Sequence, residues 1–277
     1  MKILPTLVLL LACAAAAPAQ RSDWTRPFEA HRIIGNLYYV GTYDLACFLV
    51  AGDEGHILIN TGLDSSAPQI RSSIESLGFR YQDVKILLHM QAHFDHVAAL
   101  SKIAGETGAE VWSSPADARL LRDGGKSDYL PNIGEFAPVK VAHELDDGEV
   151  IRLGKTELKV VLMPGHTPGS AGYTMQVLEN GKTYDVVIAN MGSINGGTYF
   201  SGPKESYPGI AADYAHTFAV QKKLPVDIWV AGHASQYGLH EKFKPGEGYD
   251  PERFVDPQGY RAKVAEYEKT FREQAGR

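Results

Sequence analysis

Cysteine is nearly absent from this chain: two occur in 277 residues, Cys13 and Cys47. Cys13 falls in an N-terminal segment expected to be removed or lipidated, so no internal disulfide can staple the fold. An excess of positive charge is missing too. A formal net charge of -6 and a pI near 5.9 argue against a nucleic-acid or anionic-membrane surface, which would reward Lys and Arg. There is no fixed-period repeat and no low-complexity tract, which excludes a solenoid or a linker-rich chain. The N-terminal apolar run is too short to span a bilayer, and no transmembrane span is expected. What remains is an ordinary globular composition, 44% hydrophobic, with enough apolar residues for a substantial core.

The first residues, MKILPTLVLLLACAAAAPAQ, carry one positive charge at Lys2, a short apolar run and small residues ending at Ala17-Pro18-Ala19. That is the layout of a secretory signal peptide, expected over residues 1–19 and followed by one domain over 20–277. The alternative is a lipoprotein signal, because LLAC at Leu10 to Cys13 looks like a bacterial lipoprotein box, although Leu11 is not the favoured residue there. Either way the expected location is the periplasm, with a lipid anchor if Cys13 is the cleavage point. Cys47, in the apolar run LACFLV, reads as a core residue.

HRIIGNLYYVG and ACFLVAGDEGHILINTGL read as hairpins turning at Gly35-Asn36 and Asp53 to Gly55. The period then changes. Ile70, Ile74 and Leu77 share a helical face that starts at Ser66-Ala67-Pro68 and stops at Gly78. The strand VKILL follows, then helices at VAALSKIAGETG and ADARLLRDGG. A second set of strands runs through KVAHEL, EVIRL, ELKVVLM, AGYTMQVL and TYDVVIAN, with helices near 211–223 and 258–274 around the strand VDIWVAG. Strands and helices thus appear twice in the same order, the halves meeting between Gly124 and Val139. Two mixed sheets packed face to face with helices outside satisfy this α/β pattern.

Three of these strands lead into histidine. VKILL leads into Gln91, His93, Asp95 and His96; LKVVLM leads into PGHTPGS with His166; DIWVAG leads into His233. Ligand sites gather on loops beyond strand ends, and imidazoles with a carboxylate suit zinc. Because His93 and His96 leave a tight turn in different directions, one loop can feed two metals roughly 3.5 to 4 Å apart. The remaining histidines, His31, His56, His143, His216 and His240, are expected at the surface, and His89 at the strand end in a packing or supporting role.

These residues resemble the metallo-β-lactamase superfamily, whose signature is H-x-H-x-D-H after a strand with single histidines after two later strands. GHILINTGL, PGHTPGS, NMGSINGGTY and the run from Tyr207 to Ser235 are similar to the third subclass of class B β-lactamases, over nearly all the chain past residue 19. The resemblance implies a four-layered αββα sandwich, with Gln91, His93 and His166 at a first zinc and Asp95, His96 and His233 at a second. It also implies a zinc-dependent hydrolase that opens the β-lactam ring through a metal-bound hydroxide, with Asp95 as the catalytic carboxylate. Ser193 matches a carboxylate-binding serine, with Asn195 and Tyr199 as neighbours in substrate binding. Small-molecule β-lactams, no nucleic acid and a monomer are the implied partners and state.

Two departures stand out. Gln91 replaces the family's first histidine, as in some members of the subclass, and an amide oxygen is the poorer zinc ligand, so the first position should hold metal more weakly. Asn60 stands where Asp is usual, which keeps the shape and loses the charge. Met191 occupies the place of another subclass's metal-binding Cys. A thioester or lactone hydrolase of the same fold is the nearest rival, but such enzymes usually carry a bridging Asp where this chain has Asn190. A non-catalytic zinc-binding envelope protein is the other alternative. Pocket shape depends on the loops Gly41 to Ala46 and Gly124 to Phe136, whose course the sequence leaves open.

Overall fold

The structure is a computed structural model, and it describes residues 22–276; the expectations for residues 1–19 and Cys13 lie outside them. Among the described residues twelve strands form two sheets. β1 (His31–Ile34), β2 (Leu37–Tyr39), β3 (Phe48–Ala51), β4 (His56–Ile59), β5 (Val84–Leu88), β6 (Glu110–Ser113) and β7 (Val141–Glu144) lie in that order in the first. β8 (Val150–Leu153), β9 (Thr156–Leu162), β10 (Ala171–Glu179), β11 (Lys182–Ala189) and β12 (Ile228–Ala231) form the second, in the order β12-β11-β10-β9-β8. Each sheet starts as an antiparallel meander and becomes parallel once helices enter the connections, at β4–β5 in the first and at β11–β12 in the second. The helices are α1 (Ala67–Ser76), α2 (Phe94–Val97), α3 (Leu100–Thr107), α4 (Pro115–Asp123), α5 (Ile210–Gln221), α6 (Leu239–Lys242) and α7 (Pro257–Ala275).

Side-chain alternation shows why the sheets stack. In β3, β4 and β5, Phe48, Val50, Ile57, Ile59, Ile86 and Leu88 belong to the core cluster shared with the second sheet and with α5 and α7. Their neighbours Leu49, Leu58 and Leu87 join the other cluster, with Ile70 and Ile74 of α1, Ile103 of α3 and Leu121 of α4. A strand with period 2 and both faces buried must be covered on both sides, and the result is the αββα sandwich expected. Each such apolar side chain contributes about 1.5–3 kcal/mol on burial, so the packed interface fixes where the strand ends lie. Cys47 is buried in the same core, as expected.

The boundary between the halves differs from the sequence expectation. KVAHEL supplies β7, which adds to the first sheet by parallel pairing with β6 (Val111↔Val141), so the crossing falls between β7 and β8. The reason is long-range: Val141 packs with Val111 and Leu121, residues that no local pattern links to it. His31 and His56 are also not surface residues. Both are buried, and His31 stacks on Phe243 with ring centroids 3.7 Å apart. His143 and His216 are exposed as expected, and His240 is half-buried against Tyr43. Among the described residues no helix is long and apolar enough to cross a membrane.

Candidate metal centre

The loops after β5, β9 and β12 meet at one end of the sandwich around a cavity of about 340 Å³, lined by Gln91, His93, Asp95, His96, His166 and His233. His93 is the cap residue just before α2, with extended backbone at φ -90° and ψ 153°, so its ring leaves the turn in a different direction from Asp95 and His96 inside the helix. The cavity has two halves.

In the first, His93 Nδ1 faces His166 Nε2 at 3.1 Å, although the two residues are 73 positions apart. His166 Nδ1 is 2.8 Å from the carbonyl oxygen of Ser193. Burial, then the adjacent His93, lower the His166 pKa to about 3, so its ring stays neutral. Gln91 is buried beside them, and its Oε1 accepts the main-chain N–H of His93 at 3.3 Å.

In the second half, Asp95 Oδ2 stands 3.4 Å from both His96 Nε2 and His233 Nε2, and one ligating atom from each of the three residues lies within 4.8 Å of the others. Burial opposes ionisation of Asp95, but the neighbouring His96 and His233 hold its carboxyl well below the usual carboxylate range. Burial also lowers His96. His233 is likewise desolvated, yet Asp44 and Asp95 raise it to about 9. Gly232 lets the His96 ring in, since a Cβ there would come within 2.9 Å of the ring's Cε1.

Neither ring nitrogen of His96 has a hydrogen-bond partner, and both are buried. Buried polar atoms are rarely left so. A cluster of imidazole nitrogens and a carboxylate, desolvated and convergent, is a donor set that fits zinc.

Several supporting residues escape a reading of the sequence. Asp44, in the loop from Gly41 to Ala46, places Oδ2 3.0 Å from His233 Nδ1 and accepts the N–H of Ser235 on Oδ1 at 3.0 Å; those bonds and the charge of His233 lower its pKa against the cost of burial. Asp128 places Oδ2 3.2 Å from His93 Nε2. Asp117 is fully buried and accepts from Ala92 N–H (2.9 Å), Thr167 Oγ1 (2.7 Å) and Gly169 N–H (2.8 Å), tying the loop after β5 to the loop after β9. Burial nonetheless raises its pKa to about 6. Nothing in the local spacing of these aspartates announces their contacts.

Asn60, fully buried at φ 62°, accepts Met90 N–H on Oδ1 (3.0 Å) and donates from Nδ2 to the Ala46 carbonyl (3.1 Å). A carboxylate could make the first bond but not the second. The amide therefore braces the loop of Asp44 as well as the loop after β5. His89 is buried with Nε2 2.8 Å from Ser113 Oγ and does not line the cavity, in keeping with a packing role.

The expected substrate contacts are placed unequally. Asn195 and Ser193 line the cavity, with Ser193 Oγ 3.2 Å from His166 Nδ1. Tyr199 does not line it. Tyr199 N–H donates to Ser206 Oγ and Ser206 N–H to the Tyr199 carbonyl, both at 2.9 Å, and Tyr199 lies half exposed on a neighbouring groove of about 680 Å³ that shares Ile133 with the cavity. Asn190 and Met191 also line the cavity.

Fold and cavity together are those of a metallo-hydrolase. The Metallo-beta-lactamase superfamily profile matches residues 44–233, and the chain belongs to that superfamily. Among solved structures it is similar to the class B3 di-zinc metallo-beta-lactamase LRA-12 from an Alaskan soil metagenome, at 43% identity over 94% of this chain and 98% of that one, with a TM-score of 0.88. It is similar to the metallo-beta-lactamase GOB-18 from Elizabethkingia meningoseptica at 44% identity, covering 97% and 98% of the two chains, again with a TM-score of 0.88. A curated relative, the hydroxyacylglutathione hydrolase GloC of Haemophilus influenzae, is 28% identical over 71% of this chain and 88% of its own.

Proposed function

We propose that this protein is a zinc-dependent hydrolase that opens the ring of β-lactam antibiotics. The observation that carries the reading is the meeting, in one cavity, of His93 with His166 and of Asp95 with His96 and His233, from three separate strand ends. Gln91, His93 and His166 would hold one zinc, Asp95, His96 and His233 a second, with the first position the weaker because of its amide. Zinc, when bound, supplies Lewis acidity and lowers the pKa of water to about 7.

The chain's own residues do the rest. Asp95 faces the cavity, where its carboxylate can orient the attacking water. Trp24, Phe94, Ile133 and Met191 supply an apolar wall that limits bulk water. No Lys or Arg lines the cavity among the described residues, so recognition of a substrate carboxylate falls to hydroxyl and amide donors, Ser193 and Asn195 first.

The likeness at 43–44% identity to two β-lactamases supports the substrate class. Likeness to GloC makes a thioester the competing substrate. The test is hydrolysis of a penicillin, a carbapenem, a lactone and S-lactoylglutathione by one sample whose zinc is counted. β-Lactam turnover dependent on zinc is expected. Turnover of the thioester, or of a lactone, alone would replace this reading, and turnover of no β-lactam, lactone or thioester by zinc-loaded protein would leave a binding protein. We further propose export, which cell fractionation of the full chain checks: cytoplasmic retention would contradict it.

A further inference from the structure

We infer that Asp128 is the positioning residue of the first metal position, holding His93 so that its Nδ1 points at His166; this rests on the zinc reading above. The carboxylate comes from the connection after α4. That connection is tightly folded: Phe136 N–H returns to the Gly124 carbonyl at 3.1 Å, and Val139 N–H to the Leu121 carbonyl at 3.0 Å. Gly124 and Gly125 turn at φ 73° and 86°, where a Cβ on Gly124 would strike the Phe136 carbonyl.

Asp128 is fixed within that turn. Its Oδ1 accepts the N–H of Leu130 at 2.7 Å, and its Oδ2 reaches 3.2 Å from His93 Nε2, both side chains being 2% exposed. Neither Asp128 Oδ2 nor His93 Nε2 completes a hydrogen bond in this structure, with the other or elsewhere, yet these two buried polar atoms stand 3.2 Å apart, a pair that a small turn of the His93 ring would join. The next residue, Tyr129, donates from its hydroxyl to the main-chain carbonyl of His166 at 3.0 Å. One turn thus addresses both histidines of the first half.

An acceptor at Nε2 keeps the proton of neutral His93 there and leaves the Nδ1 lone pair facing inward, the arrangement a metal requires. His166 has the equivalent from the Ser193 carbonyl at its Nδ1. With Gln91 as the third donor, these two imidazoles supply most of the binding, so orientation matters more here than it would with three histidines.

The test uses metal-free full-length protein, titrated with zinc against a chelator, for wild type, Asp128→Asn and Asp128→Ala. Wild type should take two equivalents. In Asp128→Ala the weaker equivalent should lose 10- to 100-fold in affinity, the usual consequence of removing a ligand's outer partner, while the tighter one stays within about two-fold; Asp128→Asn, still able to accept a hydrogen bond, should fall between. Long-range nitrogen–proton NMR on the zinc-saturated proteins, a readout independent of turnover, should show the Nε2 proton of His93 protected from solvent exchange in wild type and exchanging rapidly in Asp128→Ala. Two equivalents bound as tightly by Asp128→Ala as by wild type, or an unchanged His93 spectrum, overturns the inference and leaves the zinc reading standing. A wild type that takes no second equivalent overturns the zinc reading of this half and the inference with it.

Discussion

The two halves of the cavity share a plan and differ most at one donor. Each has two histidines, and in each one histidine is backed by a carboxylate from a distant loop: Asp44 behind His233 and Asp128 behind His93. The third donor is a carboxylate in one half, Asp95, standing 3.4 Å from both its imidazoles, and an amide in the other, Gln91, whose oxygen already accepts a main-chain N–H. An ionised oxygen gives a divalent cation far more than a neutral one, so the Asp95 half should hold zinc tightly and the Gln91 half loosely. On the proposed zinc reading donor charge separates the two halves most, although their support differs as well: the Ser193 carbonyl stands behind His166, whereas neither ring nitrogen of His96 has a partner.

The largest effect should follow from taking the charge out of the tighter half. Asp95→Asn should lower β-lactam turnover roughly 10³-fold, the several kcal/mol that metal-assisted hydrolysis supplies, with about one zinc lost; steady-state kinetics and metal counting check both. Unchanged zinc content would mean that Asp95 is not a ligand. Next, Asp44→Asn should weaken zinc in the same half by about 10- to 100-fold and leave the other half alone, read by chelator competition. A loss in both halves alike would show Asp44 to be merely structural.

Gln91→His should act in the opposite direction, bringing the two halves together. The weaker equivalent should tighten by about ten-fold or more as an imidazole replaces the amide, measured as zinc retained on dialysis. No change would place Gln91 outside the coordination sphere.

The least effect on the cavity is expected at His31, stacked on Phe243 far along the chain from any candidate ligand. Burial, with Arg253 adding to it, lowers its pKa to about 4 against the pull of its bond to the Glu29 carbonyl. The folded protein therefore binds fewer protons at this site than the unfolded chain between pH 6.5 and about 4. Stability should be present above that window and fall as pH drops through it, by about 3 kcal/mol. Denaturant unfolding from pH 7 to pH 4 should show this loss in wild type and much less of it in His31→Phe, with zinc stoichiometry at pH 7 unchanged.

How much of this was legible in the sequence follows from the range of the interactions. Strands such as β3, β5 and β12 carry their period and apolar character locally, and the polar residues beyond them mark the strand ends that build the cavity. The doubled strand and helix order gave the sandwich. What stayed hidden depends on contacts between distant segments. Asp44 meets His233 across 189 positions, and Asp117 meets Thr167 and Gly169 across 50 and 52. The loops around Asp44 and Asp128 have turn-forming composition and no periodicity, so only packing against the finished sheets fixes their side chains. β7 joins the half that its local pattern does not indicate for the same reason, since its neighbour β6 is chosen by tertiary pairing. Tyr199 lies in a motif close to Ser193 and Asn195, yet it is tied to Ser206 by a main-chain bond and a bond to the Ser206 hydroxyl and stands outside the cavity.

Zinc titration of metal-free wild-type protein, with penicillin hydrolysis followed at each addition, tests the central claim most directly. Two equivalents of unequal affinity should bind, and turnover should rise with metal and vanish on chelation. Failure to bind zinc, or hydrolysis that persists in the metal-free protein, would contradict it.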